Sequence, residues 1–414
     1  TIFASINSYN AAAQVTFNFG QDSSFAGVKT AQGNQDSNGK GDFYYEPPAD
    51  HLALCTDNLS APEIALPGDN FSEILYTGDG STRSLTGVGF QPDLLTIKRR
   101  DANHSWMSYD VLRGFDTGVG ERLAWNNAEV QSDVANGLAS FDSDGFSVGG
   151  ATGVNLNTAK YAAYSWKGGG TGVSNGTGSI TSTVSANTTA GFSLVKFAGD
   201  SADGATVGHG LTQAPEFVIV KAYDYASDWN VYSNPTGNLK YLFFNSTAAE
   251  ATNNRWNDTT PSASVVTLGA NEDVNNSSYN YIMYCFHSIE GYSKVGSYIG
   301  NANADGPFIY LGFRPAVVIF KNIERTTADG QATDWLLYDN KRAPSLSGPP
   351  NYNVNTENFW VNDNSSEPGS QGHNADFISN GFKIRGSEGS TNKSGDEYLY
   401  IAFADTPFKT ANAR

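Results

Sequence analysis

The sequence predicts an all-β protein, built as tandem β-sandwich domains with three internal repeats and preceded by an incomplete β segment. Three observations predict this fold. The chain of 414 residues has 44 glycines, 2 methionines and much Asn, Ser and Thr, a composition that favours strands joined by polar turns over helices. Its 24 Phe, 21 Tyr and 7 Trp supply the apolar area that cores need. Finally, one ordered set of landmarks occurs three times.

The most regular landmark is a Gly, a bulky residue and a Pro, followed by a β-rich run that ends in Lys. The distance from Pro to Lys is constant, from 92 to 98, from 215 to 221 and from 315 to 321. Because Pro cannot donate to a central ladder, it marks the entry to a strand. A Trp follows each Lys, and a Tyr comes three residues after that Trp. The nine residues are Lys98, Trp106, Tyr109, Lys221, Trp229, Tyr232, Lys321, Trp335 and Tyr338.

An aromatic strand closes each repeat, and the repeats are long enough for one sandwich each, about 100 residues. The predicted repeats are 71–167, 191–290 and 291–414, the last including a C-terminal tail. Residues 168–190 form a Gly/Ser/Thr-rich linker that is flexible by composition, although 180–184 alternates and could be a short strand. Repeats two and three abut, so we expect the first repeat to be hinged to the other two.

Residues 1–70 do not match the repeat. Strands are predicted at 14–19, 42–45 and 52–59. A segment of this size is an incomplete sandwich, since a sheet must bury one face against another layer. We expect it to pack on the first repeat or on a partner chain, or to have its other half before Thr1.

The charge of the chain argues against two classes of partner. There are 42 acidic and 25 basic side chains, a net charge of −17, and no Lys/Arg run, so the attraction that drives nucleic-acid binding is missing. No apolar run approaches the roughly 18 residues of a membrane helix, and no membrane insertion is expected. Cys55 and Cys285 are too few for a disulfide framework and are predicted to be buried free thiols.

The nine recurring residues allow two interpretations. Aromatic side chains suit the faces of sugars and Lys can anchor hydroxyls, so each repeat could carry an equivalent glycan site. Alternatively, residues kept in all copies of an internal domain are part of its core or strand edges. The sequence favours the architectural interpretation and leaves the binding sites open.

Paired acids are candidate catalysts, because glycoside hydrolysis needs two carboxylates across the glycosidic bond. They lie beside Gly, Ser and Asn, where turn capping explains them. The pairs are Asp142 and Asp144, Asp200 and Asp203, and Asp363 and Glu367. The run 142–145 also offers oxygen ligands of the kind that Ca²⁺ takes, but without an EF-hand pattern.

Metal and catalytic motifs give no further site. The five histidines lack the i, i+2 or i, i+4 spacing of metal motifs, and they are His51, His104, His209, His287 and His373. No P-loop, dinucleotide fingerprint or H-E-x-x-H stretch occurs. The sequence therefore predicts no catalytic residue, no cofactor beyond the Ca²⁺ option, and a protein that is not an enzyme.

Residues 18–25, 44–48 and 52–59 resemble the closing part of SPRY-like, concanavalin-type domains in structural proteins of tailed phages, especially marine ones. The repeats look like the domain attached to them, most specifically at 166–170, 180–187 and 207–211. The front half of the SPRY-like domain is missing. The resemblance implies a tail-fibre-like virion protein and brings no catalytic motif.

The resulting hypothesis is a phage virion structural protein, a tail or head fibre or appendage subunit on the particle surface that contributes to host attachment. Its expected partners are other virion proteins and a host surface glycan or protein, and a homo-oligomer, with a trimer favoured, would give avidity. A capsid decoration or tail-associated architectural protein is one alternative. A polysaccharide-degrading tailspike is the other.

Overall fold

The computed structural model describes residues 16–325, 333–342, 354–367 and 374–411. In these ranges the chain is nearly all β, which confirms the predicted fold class. The exceptions are one short helix, α1 (Gly389–Asn392), and 3-10 turns at Thr56–Asn58 and Pro67–Asp69. Within the same ranges, no helix has the length and apolar character needed to cross a membrane. The chain divides into two compact units, Thr1–Ala61 and Pro62–Arg414.

The described part of the first unit contains no strand, so the strands predicted at 42–45 and 52–59 are wrong, as is the described portion of 14–19. A single isolated bridge joins Asn34 to Phe43. Asp36 holds the surrounding loops instead, since its carboxylate accepts the backbone N–H of Ala53 and the Asn58 amide, both at 2.7 Å. Side chains that bond to nearby backbone compete with ladder formation, and the aromatic runs alone did not reveal this.

The second unit contains three sets of strands. The first set comprises β1 (Phe71–Thr77), β2 (Arg83–Thr86), β3 (Leu94–Arg99), β4 (Met107–Asp110), β5 (Phe115–Asp116), β6 (Val119–Arg122), β7 (Ser132–Asp133), β8 (Leu138–Asp142), β9 (Gly145–Val148) and β10 (Lys160–Trp166). Two strands follow it, β11 (Val173–Asn175) and β12 (Ser182–Asn187).

The other two sets repeat this plan with variations. The second comprises β13 (Phe192–Ala198), β14 (Ala205–Gly208), β15 (Phe217–Ala222), β16 (Asn230–Ser233), β17 (Lys240–Phe243), β18 (Ala251–Thr252), β19 (Val265–Leu268) and β20 (Asn280–Phe286). The third comprises β21 (Ser293–Ile299), β22 (Phe308–Tyr310), β23 (Phe313–Asn322), β24 (Leu336–Asp339), β25 (Val354–Asn355), β26 (Phe359–Trp360), β27 (Ala375–Ile378), β28 (Gly381–Ile384) and β29 (Glu397–Pro407).

Each set has a main antiparallel sheet with the same strand order: β1-β10-β3-β4, β13-β20-β15-β16 and β21-β29-β23-β24. A smaller sheet accompanies each main sheet: β2-β9-β8, β14-β19 and β22-β28-β27-β25. The first set adds the ribbon β5-β6-β7. The closing aromatic strand therefore lies inside every main sheet, between the opening strand and the strand that ends in Lys.

The stretch predicted as a flexible linker, 168–190, is largely structured, which corrects that prediction. Strand β12 pairs along β13 from Ser182–Phe197 to Asn187–Phe192, and β11 pairs with β12. The Gly-rich start is also anchored, because the Gly168 N–H donates to Asp93 Oδ2 at 2.7 Å. The open edge of β13 offers backbone partners that composition does not reveal.

The closing strands are buried on both faces, and this explains how the sets pack. On β10, Tyr161 and Ala163 face a core within the first set, whereas Ala162, Tyr164 and Trp166 face a core shared by all three sets. Strands β20 and β29 alternate in the same way. The residues on these inner faces thus form a fourth, common core beside the separate core of each set. A hinge between the first set and the others is excluded, because separating them would expose this core.

Candidate functional site

All nine residues of the recurring Lys, Trp and Tyr pattern lie in the interior. Their exposed fractions are 0% or 1%. They therefore cannot form outward platforms for a glycan. The glycan-binding sites predicted at these nine positions are wrong, because the side chains are not at the surface. The architectural interpretation fits their burial, and the contacts below show what each type of residue does. The nine residues are Lys98, Trp106, Tyr109, Lys221, Trp229, Tyr232, Lys321, Trp335 and Tyr338.

Each of the three lysines binds backbone carbonyls with its buried ammonium group. Lys98 Nζ donates to the carbonyls of His104 at 2.7 Å and Asn364 at 3.0 Å, so it ties the first set to the third. Lys321 Nζ donates to the carbonyls of Asn322 at 2.7 Å and Thr247 at 3.4 Å, which ties the third set to the second.

The second-set lysine is anchored locally. Lys221 Nζ donates to the carbonyls of Ala222 and Tyr225 at 2.5 and 3.2 Å. Burial lowers the pKa of Lys98 and Lys321 to about 7, and that of Lys221 to about 8, because a charged ammonium loses water in the interior.

The tryptophans close a ring of contacts among the sets. The indole N–H of Trp106 donates to the Trp360 carbonyl of the third set at 3.2 Å. Trp229 donates to Ala124 of the first set at 2.9 Å. Trp335 donates to Phe243 of the second set at 2.9 Å. Each set thus contacts the previous one through the same atom. The backbone N–H of each Trp is held by an asparagine, namely Asn126, Asn245 and Asn362.

The tyrosines of the pattern serve the separate cores. The ring of Tyr338 stacks on Phe320 with centroids 5.2 Å apart, and Tyr232 meets Trp256 edge-on at 5.9 Å. Burial raises the pKa of Tyr232 to about 12 and raises that of Tyr109 and Tyr338 further. These tyrosines therefore stay protonated at neutral pH and do not transfer protons. Their buried rings contribute apolar area to the cores.

Two buried ionic junctions were missed by the sequence reasoning. At the end of β4, Asp110 pairs with Arg113 at 2.6 Å, and the Tyr284 hydroxyl of the second set donates to the same carboxylate at 3.0 Å. At the end of β24, Asp339 pairs with Arg342, and the Tyr164 hydroxyl of the first set donates to it at 2.6 Å.

The third equivalent position lacks the ionic pair. The end of β16 carries Ser233, whose hydroxyl lies 2.9 Å from that of Thr236. The position on β29 that corresponds to Tyr164 and Tyr284 is Ile401. The loss of the ionic pair thus coincides with the loss of the tyrosine hydroxyl that would bond to it. The Asp-x-x-Arg spacing at 110–113 and 339–342 was visible in the sequence and is the signal that could have revealed these junctions.

The candidate catalytic acids accept hydrogen bonds within turns. Asp142 accepts the hydroxyls of Ser84, Ser140 and Ser147 at 2.6–2.9 Å. Its neighbour Asp144 accepts backbone N–H groups at 87 and 89.

The other two pairs behave similarly. Asp200 and Asp203 accept backbone N–H groups at 202 and 270, respectively. Asp363 caps Ser365 at 2.6 Å, and Glu367 pairs with Arg100 at 2.6 Å. These contacts match the turn-capping interpretation.

Three carboxylates of the β5-β6-β7 ribbon come together. One oxygen each from Asp116, Glu121 and Asp133 lies within 4.8 Å of the others. Desolvation, followed by the charge of Asp133, raises the pKa of Glu121. Three oxygen ligands suit a hard cation such as Ca²⁺, but exposed acidic groups also gather without one. None of the three residues belongs to 142–145, where the sequence placed the Ca²⁺ option.

The histidines and cysteines supply no cluster in the part of the chain that the structure describes. His209 is buried and its Nε2 donates to the Ser262 carbonyl, whereas His373 lies outside the described residues. Cys285 is buried as predicted, but Cys55 is exposed, because the segment around it forms a surface turn rather than a strand.

The outward face of β22 in the third set differs from the corresponding face in the first set. On β22, Ile309 points inward, while Phe308 and Tyr310 are 47% and 54% exposed. The register with β28 aligns Ile309 with Phe382 and Tyr310 with Gly381, as Leu85 and Thr86 align with Phe146 and Gly145 in the first set.

Comparison with known proteins identifies a family whose description names no function. The family model described as "Domain of unknown function (DUF7483)" matches residues 66–407. Neither the curated proteins nor the solved structures contain a match. The matched range begins five residues before β1 and ends at the last residue of β29, so it spans all three sets of strands. The chain therefore belongs to the DUF7483 family.

Proposed function

We propose that this chain is a non-enzymatic structural protein of a phage virion, a fibre or appendage subunit of the tail or head that contributes to host attachment. The observation that carries the proposal is the division between interior and surface. The residues common to the three sets are buried and hold the sets together, whereas the outward face of β22 differs from its counterparts in the other two sets. Such a scaffold suits a protein that presents binding surfaces on rigid elements.

The virion location rests on the sequence resemblance at 18–25, 44–48 and 52–59. The acidic composition supports it further, because a net charge of −17 keeps an exposed particle surface soluble. With this charge, recognition of a host would depend on shape and hydrogen bonding more than on electrostatic steering.

The first unit supports the expectation of protein partners. Val28, Tyr45 and Leu54 are 78%, 79% and 85% exposed. Burial of these side chains against another protein would remove apolar surface from water, which is favourable. We propose other virion proteins as that partner, together with a homo-oligomer, most simply a trimer.

Labelling of intact virions tests this proposal. Gold-labelled antibodies against the chain should mark the tail or discrete appendages, and the fluorescent full chain should bind host cells. Label spread evenly over the shell would favour a capsid decoration protein instead. Absence of the chain from purified virions would refute the virion role, and shortened host polysaccharide after incubation would refute the non-enzymatic one. Mass photometry should give three times the mass of one chain.

A further inference from the structure

We propose that the outward face of β22 binds a neutral oligosaccharide of pyranose units through the rings of Phe308 and Tyr310. This inference deepens the proposed attachment role by naming the ligand of one face, and it rests on that proposed function only for its biological meaning. The binding itself is a property of the protein in solution.

The two rings form a spaced pair on one side of a strand. Positions i and i+2 of a strand lie about 7 Å apart on the same face, so two rings can contact neighbouring sugars of a chain. Both rings are about half exposed, while the intervening Ile309 is only 6% exposed and anchors the strand in the core. The strand therefore fixes the platform in place.

Glycines bring both rings close to the backbone. A side chain at Gly381 would meet the Phe308 ring at 3.1 Å, and one at Gly312 would lie 3.6 Å from the Tyr310 hydroxyl. The rings thus lie against the backbone of their neighbours and do not extend freely into solvent. Lys294 adds a further constraint, since its Nζ donates to the Tyr310 carbonyl at 2.9 Å and lies 5.6 Å from the ring centroid.

The aromatic pair is specific to the third set. Register with the neighbouring strand gives the equivalent positions as Ser84 and Thr86 in the first set and Thr206 and Gly208 in the second. The fold therefore does not require aromatic residues at these positions. Exposed aromatics that the architecture does not need are candidates for binding.

The polar border of the patch is close to electrically balanced. Lys383 bonds to Asp305, whose side chain is 77% exposed, and Arg385 contacts both Asp305 and Asp376. Lys294 experiences the opposite charge of Glu216. These groups supply donors and acceptors for hydroxyls without a net field, which favours a neutral ligand over an acidic one.

The size of the patch separates a sugar from a protein partner. Two half-exposed aromatic side chains offer roughly 200 Å², well below the about 800 Å² per partner of a stable protein interface. The apolar C–H face of a pyranose ring covers one aromatic ring, and its hydroxyls reach the polar border. The patch therefore matches two sugar units in area and chemistry.

Affinity electrophoresis of the full chain tests the inference. Native gels containing dextran, laminarin or galactomannan should retard the wild type in at least one case, with little effect of added salt. The variant F308S/Y310T, which copies the residues at 84 and 86 of the first set, should weaken retardation about tenfold. The variant F115S, which removes an exposed aromatic of the first set, should leave it unchanged.

The following results would contradict the inference. Retardation that persists in F308S/Y310T, or none of the wild type in any of the three gels, would overturn the inference. Loss of self-association in F308S/Y310T by mass photometry, without an effect on retardation, would assign the patch to a contact between copies of the chain. Virion labelling is independent of these gels, so the proposed function can survive their failure.

Discussion

The ionic junction at the end of β4 gives a sharp test of how the three sets are joined. Asp110 and Arg113 are both fully buried and 2.6 Å apart. The substitution R113T would leave the Asp110 carboxylate buried without its cation, at a cost of about 3–5 kcal/mol. The double substitution D110S/R113T instead installs the Ser and Thr that the second set has at 233 and 236. We expect it to be less destabilising than R113T alone by about 2 kcal/mol.

Urea unfolding followed by tryptophan fluorescence measures both variants. A matched control is the pair Arg99 and Asp101, which has a similar separation of 2.7 Å but is partly exposed. There R99T and R99T/D101S should each change the free energy of unfolding by less than about 1 kcal/mol. If D110S/R113T proves as costly as R113T or costlier, the equivalence of the junctions at 110 and 233 is refuted.

Other variants test the buried groups. Because the pKa of Lys321 is lowered to about 7, this residue binds fewer protons in the folded chain than in the unfolded one above pH 7, so it should add up to about 1.4 kcal/mol per pH unit to the stability towards pH 10. In urea titrations K321M should lose this contribution and keep those of Lys98 and Lys221. Burial and then the charge of Asp339 raise the pKa of Glu73, so the contribution of this residue to stability should fall as the pH rises above 4.5. The variant E73Q should therefore be more stable than the wild type at pH 8 but not at pH 4.5. W229F, which removes the indole N–H that Trp229 donates to the carbonyls of both Ala124 and Asn127, should cost about 1–2 kcal/mol by the same assay. With a thiol reagent, Cys55 should react in the folded chain and Cys285 only on unfolding; equal rates would contradict their burial.

The fold class and the strand entries could be predicted because they depend on local chemistry. Pro before a β-branched run, polar turns and alternating aromatics each act within a few residues. The common core could not be predicted in the same way. The strand at 161–166 is apolar on both faces, and the sequence alone does not say that its second face meets residues more than 100 positions away.

The candidate sites show the same limit. The recurrence of Lys98 and Trp106 identified important positions. It did not show whether their side chains point into the core or out to solvent, because both kinds of residue recur in a repeated domain. Burial decides between the two, and it depends on contacts such as that of Trp106 with the Trp360 carbonyl. The outward pair Phe308 and Tyr310 escaped notice for the opposite reason, since it occurs in one set only.

Differential scanning calorimetry of the chain tests the central claim most directly, namely that the recurring residues join three sets of strands into one rigid unit. The account predicts one transition for residues 62–414 in which the calorimetric and van't Hoff enthalpies agree. W229F should lower the temperature of that whole transition. Two or three separable transitions, with W229F shifting only one of them, would show three independent domains and contradict the shared core.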